Sequence, residues 1–184
     1  MTTAVLVIDV QNALCQGEWA AWEAGPMIGR LNAVTARARA AGVPVVFIQH
    51  EDDHPAMRAG SPGWQLAEGL DARDDDPRIR KTTPDAFHRT ELKAWLDRLG
   101  VDRLVVCGLQ TEYCVDTTTR RALALGYPVT LVSDGHSTLP NGVLSAEQIR
   151  AHHNHTLGAM ESFGVRARLL PADQVRFDAA PASP

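Results

Sequence analysis

Leu104-Val105-Val106-Cys107-Gly108-Leu109-Gln110-Thr111-Glu112-Tyr113-Cys114-Val115 runs from an apolar strand-like stretch, through a turn, into a helix-like stretch that continues to Leu125. A strand that ends in a turn leading into a helix is the repeating joint of an α/β protein. It also places a thiol at the start of a helix, where backbone N–H groups and the positive dipole end favour thiolate and can hold an oxyanion. The alternative reading of Cys114 is a small buried hydrophobe, the common fate of a free cysteine.

The same alternation extends in both directions. Ala4 to Ile8 and Val43 to Ile48 are apolar runs that read as buried parallel strands, ending at Asp9 and at Gln49-His50. Between them, Ile28, Leu31, Val34, Ala38 and Ala41 recur at helical spacing up to Gly42, a C-cap candidate. Further strands are expected at 78–80, 103–107, 129–132 and 165–169, and further helices at 91–99, 114–125 and 146–163. Six strands alternating with helices predict a three-layer αβα domain around a six-stranded, parallel, doubly wound, Rossmann-like sheet. Residues 1–176 form this single domain, and 177–184 are expected to be a frayed Ala/Pro-rich tail.

The chain has 184 residues, is 45% hydrophobic and 22% charged, and carries a net charge of −4. That composition suits one globular domain and gives no footprint for nucleic acid. No apolar run approaches the roughly 20 residues of a membrane span. Three cysteines (Cys15, Cys107 and Cys114) without CxxC spacing, behind an N-terminus without a signal-peptide pattern, read as a reducing, cytoplasmic protein. The expected partner is a small molecule.

Of the 18 Lys and Arg residues only Lys81 and Lys93 are lysine. Lys93 sits in a helical pattern and reads as solvated. Lys81 follows the short strand candidate Arg78-Ile79-Arg80, so Asp9, Lys81 and the turn at Gly108 all fall at carboxyl ends of strands, where open α/β sheets bind ligands. An acid, an amine and a thiol converge there if their strands are neighbours. The segment 51–77 breaks the rhythm and reads as a long loop that lines the site, with Trp64 as an apolar wall and Asp74-Asp75-Asp76 as a solvated turn.

Several segments together resemble the isochorismatase-like cysteine hydrolases, the superfamily of nicotinamidases and N-carbamoylsarcosine amidases. They are Val7-Ile8-Asp9-Val10-Gln11-Asn12, Gly60-Ser61-Pro62-Gly63-Trp64, Lys81-Thr82-Thr83-Pro84-Asp85-Ala86-Phe87, Gly108 to Val115, and Val132-Ser133-Asp134-Gly135-His136-Ser137. The resemblance covers about residues 4–170. It implies a catalytic triad of Asp9, Lys81 and Cys114, a cis peptide between Leu109 and Gln110, and an oxyanion hole from the backbone N–H groups of Gln110 and Cys114. It also implies a homodimer or higher homo-oligomer and no required cofactor.

Those roles fit the chemistry of a poor electrophile such as an amide. Cys114 attacks, Asp9 takes its proton and passes it to the departing nitrogen, and Lys81 holds Asp9 and favours the thiolate. Water then hydrolyses the acyl thioester. The expected activity is therefore a cysteine-dependent amidohydrolase for a small amide, carbamoyl group, ureide or lactam. Two other readings remain: a non-catalytic Rossmann-like small-molecule binder, although phosphate-cradling GxGxxG and GxxxxGK[ST] motifs are absent, and a redox-sensing thiol protein.

Gln11, Trp64, Phe87, His88 and Tyr113 are the candidate substrate-binding residues. Asp52 and His54 offer the Asp-x-His pair that holds a metal in some relatives, but no further histidine follows before His88, so no metal site is expected. His152, His153 and His155 share a helical pattern in which only His152 and His155 lie on one face, an arrangement that suits surface contacts better than zinc. His136 follows a strand end and reads as a turn hydrogen-bonding residue, the alternative being a place at the periphery of the site.

Overall fold

The computed structural model describes residues 2–177. Its sheet is built from β1 (Thr3–Ile8), β2 (Val45–His50), β3 (Arg78–Lys81), β4 (Arg103–Leu109), β5 (Val129–Ser137) and β6 (Ala167–Leu170). All pairs are parallel, in the order β3-β2-β1-β4-β5-β6. The order reverses between β1 and β4, which opens a crevice beyond their carboxyl ends. The helices are α1 (Asn12–Cys15), α2 (Ala24–Ala40), α3 (Leu92–Arg98), α4 (Asp116–Ala124) and α5 (Ala146–Gly158).

Alternation along β1 sorts the helices into two layers. Ala4, Leu6 and Ile8 pack with Leu92 and Leu96 of α3, Ala122 and Leu123 of α4, and Leu157 of α5. Val5 and Val7 face the other way, onto Met27, Ile28, Leu31, Val34 and Ala38 of α2. With β1 buried on both faces, the strand is apolar throughout and the domain is the expected three-layer αβα sandwich.

Several boundaries differ from the sequence reading, each for a local reason. Helix α2 begins at Ala24, before Ile28, because Pro26 falls in its first turn, where a missing N–H costs nothing. It ends as expected, with Gly42 at φ 72° just beyond the C-cap Ala41. Helix α5 starts on a Ser145–Gln148 capping box and stops at Gly158 instead of Phe163. Strand β5 continues beyond its expected end at Val132 through Ser133-Asp134-Gly135-His136-Ser137, so His136 lies in a strand and not in a turn. After a register shift it pairs His136 with Gly108 and Ser137 with Leu109.

The long segment between β2 and β3 is pinned rather than loose. Asp76 pairs with Arg39 of α2 at 2.5 Å, both side chains being 9% exposed, so the acidic run is not simply solvated. Phe177 packs against the α2-side core. The rest of the predicted frayed tail lies outside the described residues. Among the described residues, no helix is long and apolar enough to cross a membrane.

Candidate active site

Asp9, the residue after β1, adopts φ 50°, a left-handed conformation, and its side chain is 1% exposed. Its backbone is held from both sides, by a hydrogen bond donated to Ile48 O and by one accepted from Gln11 N–H. The neighbouring β4 approaches so closely that a Cβ on Gly108 would lie 2.0 Å from Ile8 O, and Gly108 itself sits at φ 117°. Only glycine fits there. The peptide after it, Leu109-Gln110, is cis, and it leads into a π-helical turn, Thr111–Val115, that carries Cys114 before α4 begins.

Lys81 ends β3, and β3 is not a neighbour of β1. Strand β2 lies between them, so Lys81 starts about 10 Å from the β1 line. Its flexible four-carbon stem bridges that gap. Nζ donates to Asp9 Oδ2 at 2.6 Å and to Cys114 Sγ at 3.2 Å. The expected convergence of acid, amine and thiol is thus achieved across β2 by reach, not by strand adjacency.

The end of β2 supplies a fourth member. His50 pairs with Lys81 in the parallel register, and its Nδ1 lies 3.3 Å from Lys81 Nζ. An ammonium has three donors and no acceptor, so Nδ1 must accept and the imidazole proton resides on Nε2. That atom lies 3.7 Å from Asp52 Oδ2. The three donors of Lys81 therefore meet three acceptors: Asp9, Cys114 and His50. Sequence reasoning missed His50 as a site residue. The rule that picks out Asp9 and Lys81, a polar residue at a strand's carboxyl end, applied equally to it.

The ligating atoms of Asp9, His50 and Cys114 lie within 4.8 Å of one another, a grouping that resembles a metal site. Lys81 Nζ touches all three, so the cation this trio holds is the protein's own ammonium. Asp52 Oδ1 accepts from His54 N–H, and His54 Nδ1 accepts from Ala56 N–H. That Asp-x-His pair forms a loop turn, and the His54 ring stacks edge-on against Trp19.

Electrostatics assign the resting protons. Burial pushes the Cys114 thiol up, the Asp9 carboxylate adds to this, and Lys81 opposes both without prevailing. Desolvation at 9% exposure thus outweighs the ammonium, so the thiol needs a base to take its proton, the role expected of Asp9. Burial pulls Lys81 down, but Asp9 and Cys114 more than offset it and raise it overall. His50 is pulled down by burial and by Lys81, so it is neutral. Burial also raises Cys15 and Cys107 to about 12, consistent with packing roles.

Asp9 Oδ1 is buried and has no hydrogen-bond partner, although Oδ2 is taken by Lys81. An orphaned carboxylate oxygen beside a thiol is a proton acceptor waiting for a proton. Both residues open onto a cavity of about 320 Å³ whose described lining also includes Leu14, His50, Asp52, Met57, Pro84, Gln110 and Tyr113. One end is polar and reactive; the walls are apolar.

Of the five residues expected to bind substrate, Tyr113 lines this cavity and is 53% exposed. The other four are placed elsewhere. Gln11 is fully buried and its amide is spent on backbone: Nε2 donates to His50 O and Trp64 O, and Oε1 accepts from His50 N–H. Its amide braces the backbone of His50 and Trp64. The Trp64 ring lies under the Arg80 guanidinium, Phe87 packs in the core against Tyr127, and His88 is exposed. Apolar or amide character near a motif did not distinguish brace from wall.

The Isochorismatase domain family matches residues 3–166. Streptothricin hydrolase of Streptomyces noursei is 42% identical over 136 residues, which is 73% of this chain and 49% of that protein. The chain thus spans about half the length of the streptothricin hydrolases that it matches. The uncharacterized isochorismatase family protein YecD of Escherichia coli O157:H7 is 32% identical, covering 84% of this chain and 87% of its own. A crystal structure of an isochorismatase family protein superposes with a TM-score of 0.84 at 35% identity, over 91% of this chain and 97% of that one. Sheet order, the acid–amine–thiol cluster and these matches agree, and the chain belongs to the isochorismatase family.

Proposed function

We propose that this protein is a cysteine-dependent amidohydrolase that cleaves a C–N bond of a small amide, carbamoyl, ureide or lactam substrate. The observation that carries the proposal is the contact of one buried ammonium, Lys81 Nζ, with both Asp9 and Cys114, while the second Asp9 oxygen is buried without a hydrogen-bond partner. Cys114 Sγ attacks the carbonyl carbon as Asp9 takes the thiol proton. The oxyanion develops against the backbone of Gln110 and Cys114. Asp9 returns the proton to nitrogen and the C–N bond breaks, leaving an acyl thioester; ammonia or an amine departs, or, from a lactam, the ring opens and the amine stays tethered to the acyl group. Water adds to that carbonyl as Asp9 accepts its proton, and the C–S bond breaks as Asp9 passes that proton to sulfur, releasing the acid and restoring the thiol.

Because the resting thiol is protonated, the proton moves only as Sγ attacks, and Lys81 keeps Asp9 oriented throughout. The cavity size and the walls of Leu14, Met57, Pro84 and Tyr113 support a small, partly apolar substrate, and the match to streptothricin hydrolase supports hydrolysis. Ammonia release over a panel of primary amides, carbamoyl compounds, ureides and lactams, with amine detection for the lactams, tests the proposal. Turnover by wild type that disappears in Cys114→Ala is the expected result. Equal turnover by both proteins overturns the cysteine mechanism.

A further inference from the structure

Behind the nucleophile turn runs a chain of polar side chains that the reaction above does not use. Thr111, the first residue of the turn, places Oγ1 2.9 Å from His136 Nδ1, and His136 Nε2 lies 3.0 Å from Asn154 Oδ1. Thr111 and His136 are fully buried. Asn154 Nδ2 donates to Ser133 O at 2.9 Å, so its amide oxygen is the atom that faces the imidazole. The direction of each bond follows. An amide oxygen only accepts, so Nε2 carries the imidazole proton, Nδ1 accepts, and Thr111 Oγ1 donates. Burial keeps the imidazole neutral, which preserves this polarity.

The chain joins β5, α5 and the turn. The His136 backbone is fixed by pairing with Gly108, immediately before the cis peptide. The Thr111 carbonyl accepts the Asp116 N–H, a five-residue bond that closes the π-helical turn around Cys114. Moving Thr111 therefore moves both Gln110 and Cys114. A second tie from α5 reaches the next residue of the same segment, where His153 Nδ1 meets Asp116 Oδ1 at 3.1 Å.

We propose that His136 is a positioning residue of the reaction: through Thr111 it fixes the turn so that Cys114 Sγ stays against Lys81 and beside Asp9. The proposal rests on the reading of Cys114 as the nucleophile. Its buried, fully paired polar chain specifies one arrangement of the turn, where an apolar contact would permit several. A misplacement of about 1 Å at a reacting group can cost about 100-fold in rate, so a shift of a fraction of that distance is measurable.

Iodoacetamide is the probe: Asp9 takes the Cys114 proton as Sγ displaces iodide, so the alkylation rate, followed by peptide mass in the full chain near neutral pH, reads the placement of the thiol against its base. Thr111→Val is nearly isosteric and removes only the donor; Thr111→Ser keeps it. The expected result is an alkylation rate lowered about 10-fold in Thr111→Val and within about 2-fold of wild type in Thr111→Ser. Asn154→Leu removes the acceptor for Nε2 from the α5 side and is expected to slow alkylation in the same way, which keeps the test open if Thr111→Val does not fold. An unchanged or faster rate in the folded Val and Leu variants overturns the positioning role, as does equal slowing in Thr111→Ser. A wild-type Cys114 no more reactive than Cys15 overturns the nucleophile reading itself, a distinct outcome because every variant is then equally inert.

Discussion

Lys81→Met removes the ammonium but keeps much of the stem, and so isolates what the charge contributes at the end of β3. Asp9 and Lys81 are 1% and 0% exposed at the side chain and 2.6 Å apart. At an effective dielectric constant of about 20, their attraction is about 6 kcal/mol, part of which desolvation offsets. Removing either partner strands a buried charge, and the expected loss of folding stability is about 3–5 kcal/mol for Lys81→Met and similarly for Asp9→Asn. The double variant strands neither charge. It should be more stable than the sum of the single losses implies, by about 2 kcal/mol, within the range seen for coupled neighbours. Urea denaturation of all four proteins near neutral pH, followed by circular dichroism, measures the cycle. Single losses that simply add, within about 0.5 kcal/mol, would refute the claim that the two side chains form one buried pair.

Other outcomes follow from neighbouring residues. Gly108→Ala places a Cβ against Ile8 O at a positive φ, and should cost about 3 kcal/mol or more in denaturant stability; a near-neutral effect would mean that β1 and β4 can separate there. His50→Phe deprives Lys81 of one of its three acceptors, and kcat/KM on the substrate found by the amide panel should fall about 10- to 100-fold, whereas an unchanged value would remove His50 from the site. Burial holds His136 at about 4, below its ordinary 6.5. Between those values the unfolded chain binds a proton that the folded chain does not. Its contribution is therefore complete above pH 6.5 and is lost as pH falls toward 4, by about 3 kcal/mol in total. Urea midpoints across that range should fall more steeply for wild type than for His136→Gln, and equal slopes would contradict the assignment.

The parts of the molecule legible in the sequence were those written in short-range patterns. The apolar run Ala4 to Ile8 could only be a strand buried on two faces, and the strand–turn–helix joint at Gly108 to Val115 marked the end of the sheet where acid, amine and thiol meet. Asp9, Lys81 and Cys114 were readable because each lies at or just beyond the carboxyl end of a strand. The rest depended on information that crosses the chain. The contact of His50 with Lys81 comes from β2–β3 register. Gln11 looked like a pocket amide because nothing in its neighbours reveals that His50 and Trp64 backbone groups will consume it. The continuation of β5 to Ser137 was hidden by Ser133, Asp134, Gly135 and His136, turn formers by type, which here are held by pairing with β4. Helix-end electrostatics at Cys114 is local and legible, whereas the desolvation that opposes it belongs to the whole site.

The central claim is that a covalent acyl enzyme forms on Cys114. Acid quench of the enzyme during turnover of an amide from the panel, followed by intact and peptide mass spectrometry, tests it most directly. The account predicts an added mass equal to the substrate's acyl group, carried by the peptide containing Cys114 and absent in Cys114→Ala. Sustained turnover in Cys114→Ala, with no acyl mass on Cys114 in the wild type, would contradict it.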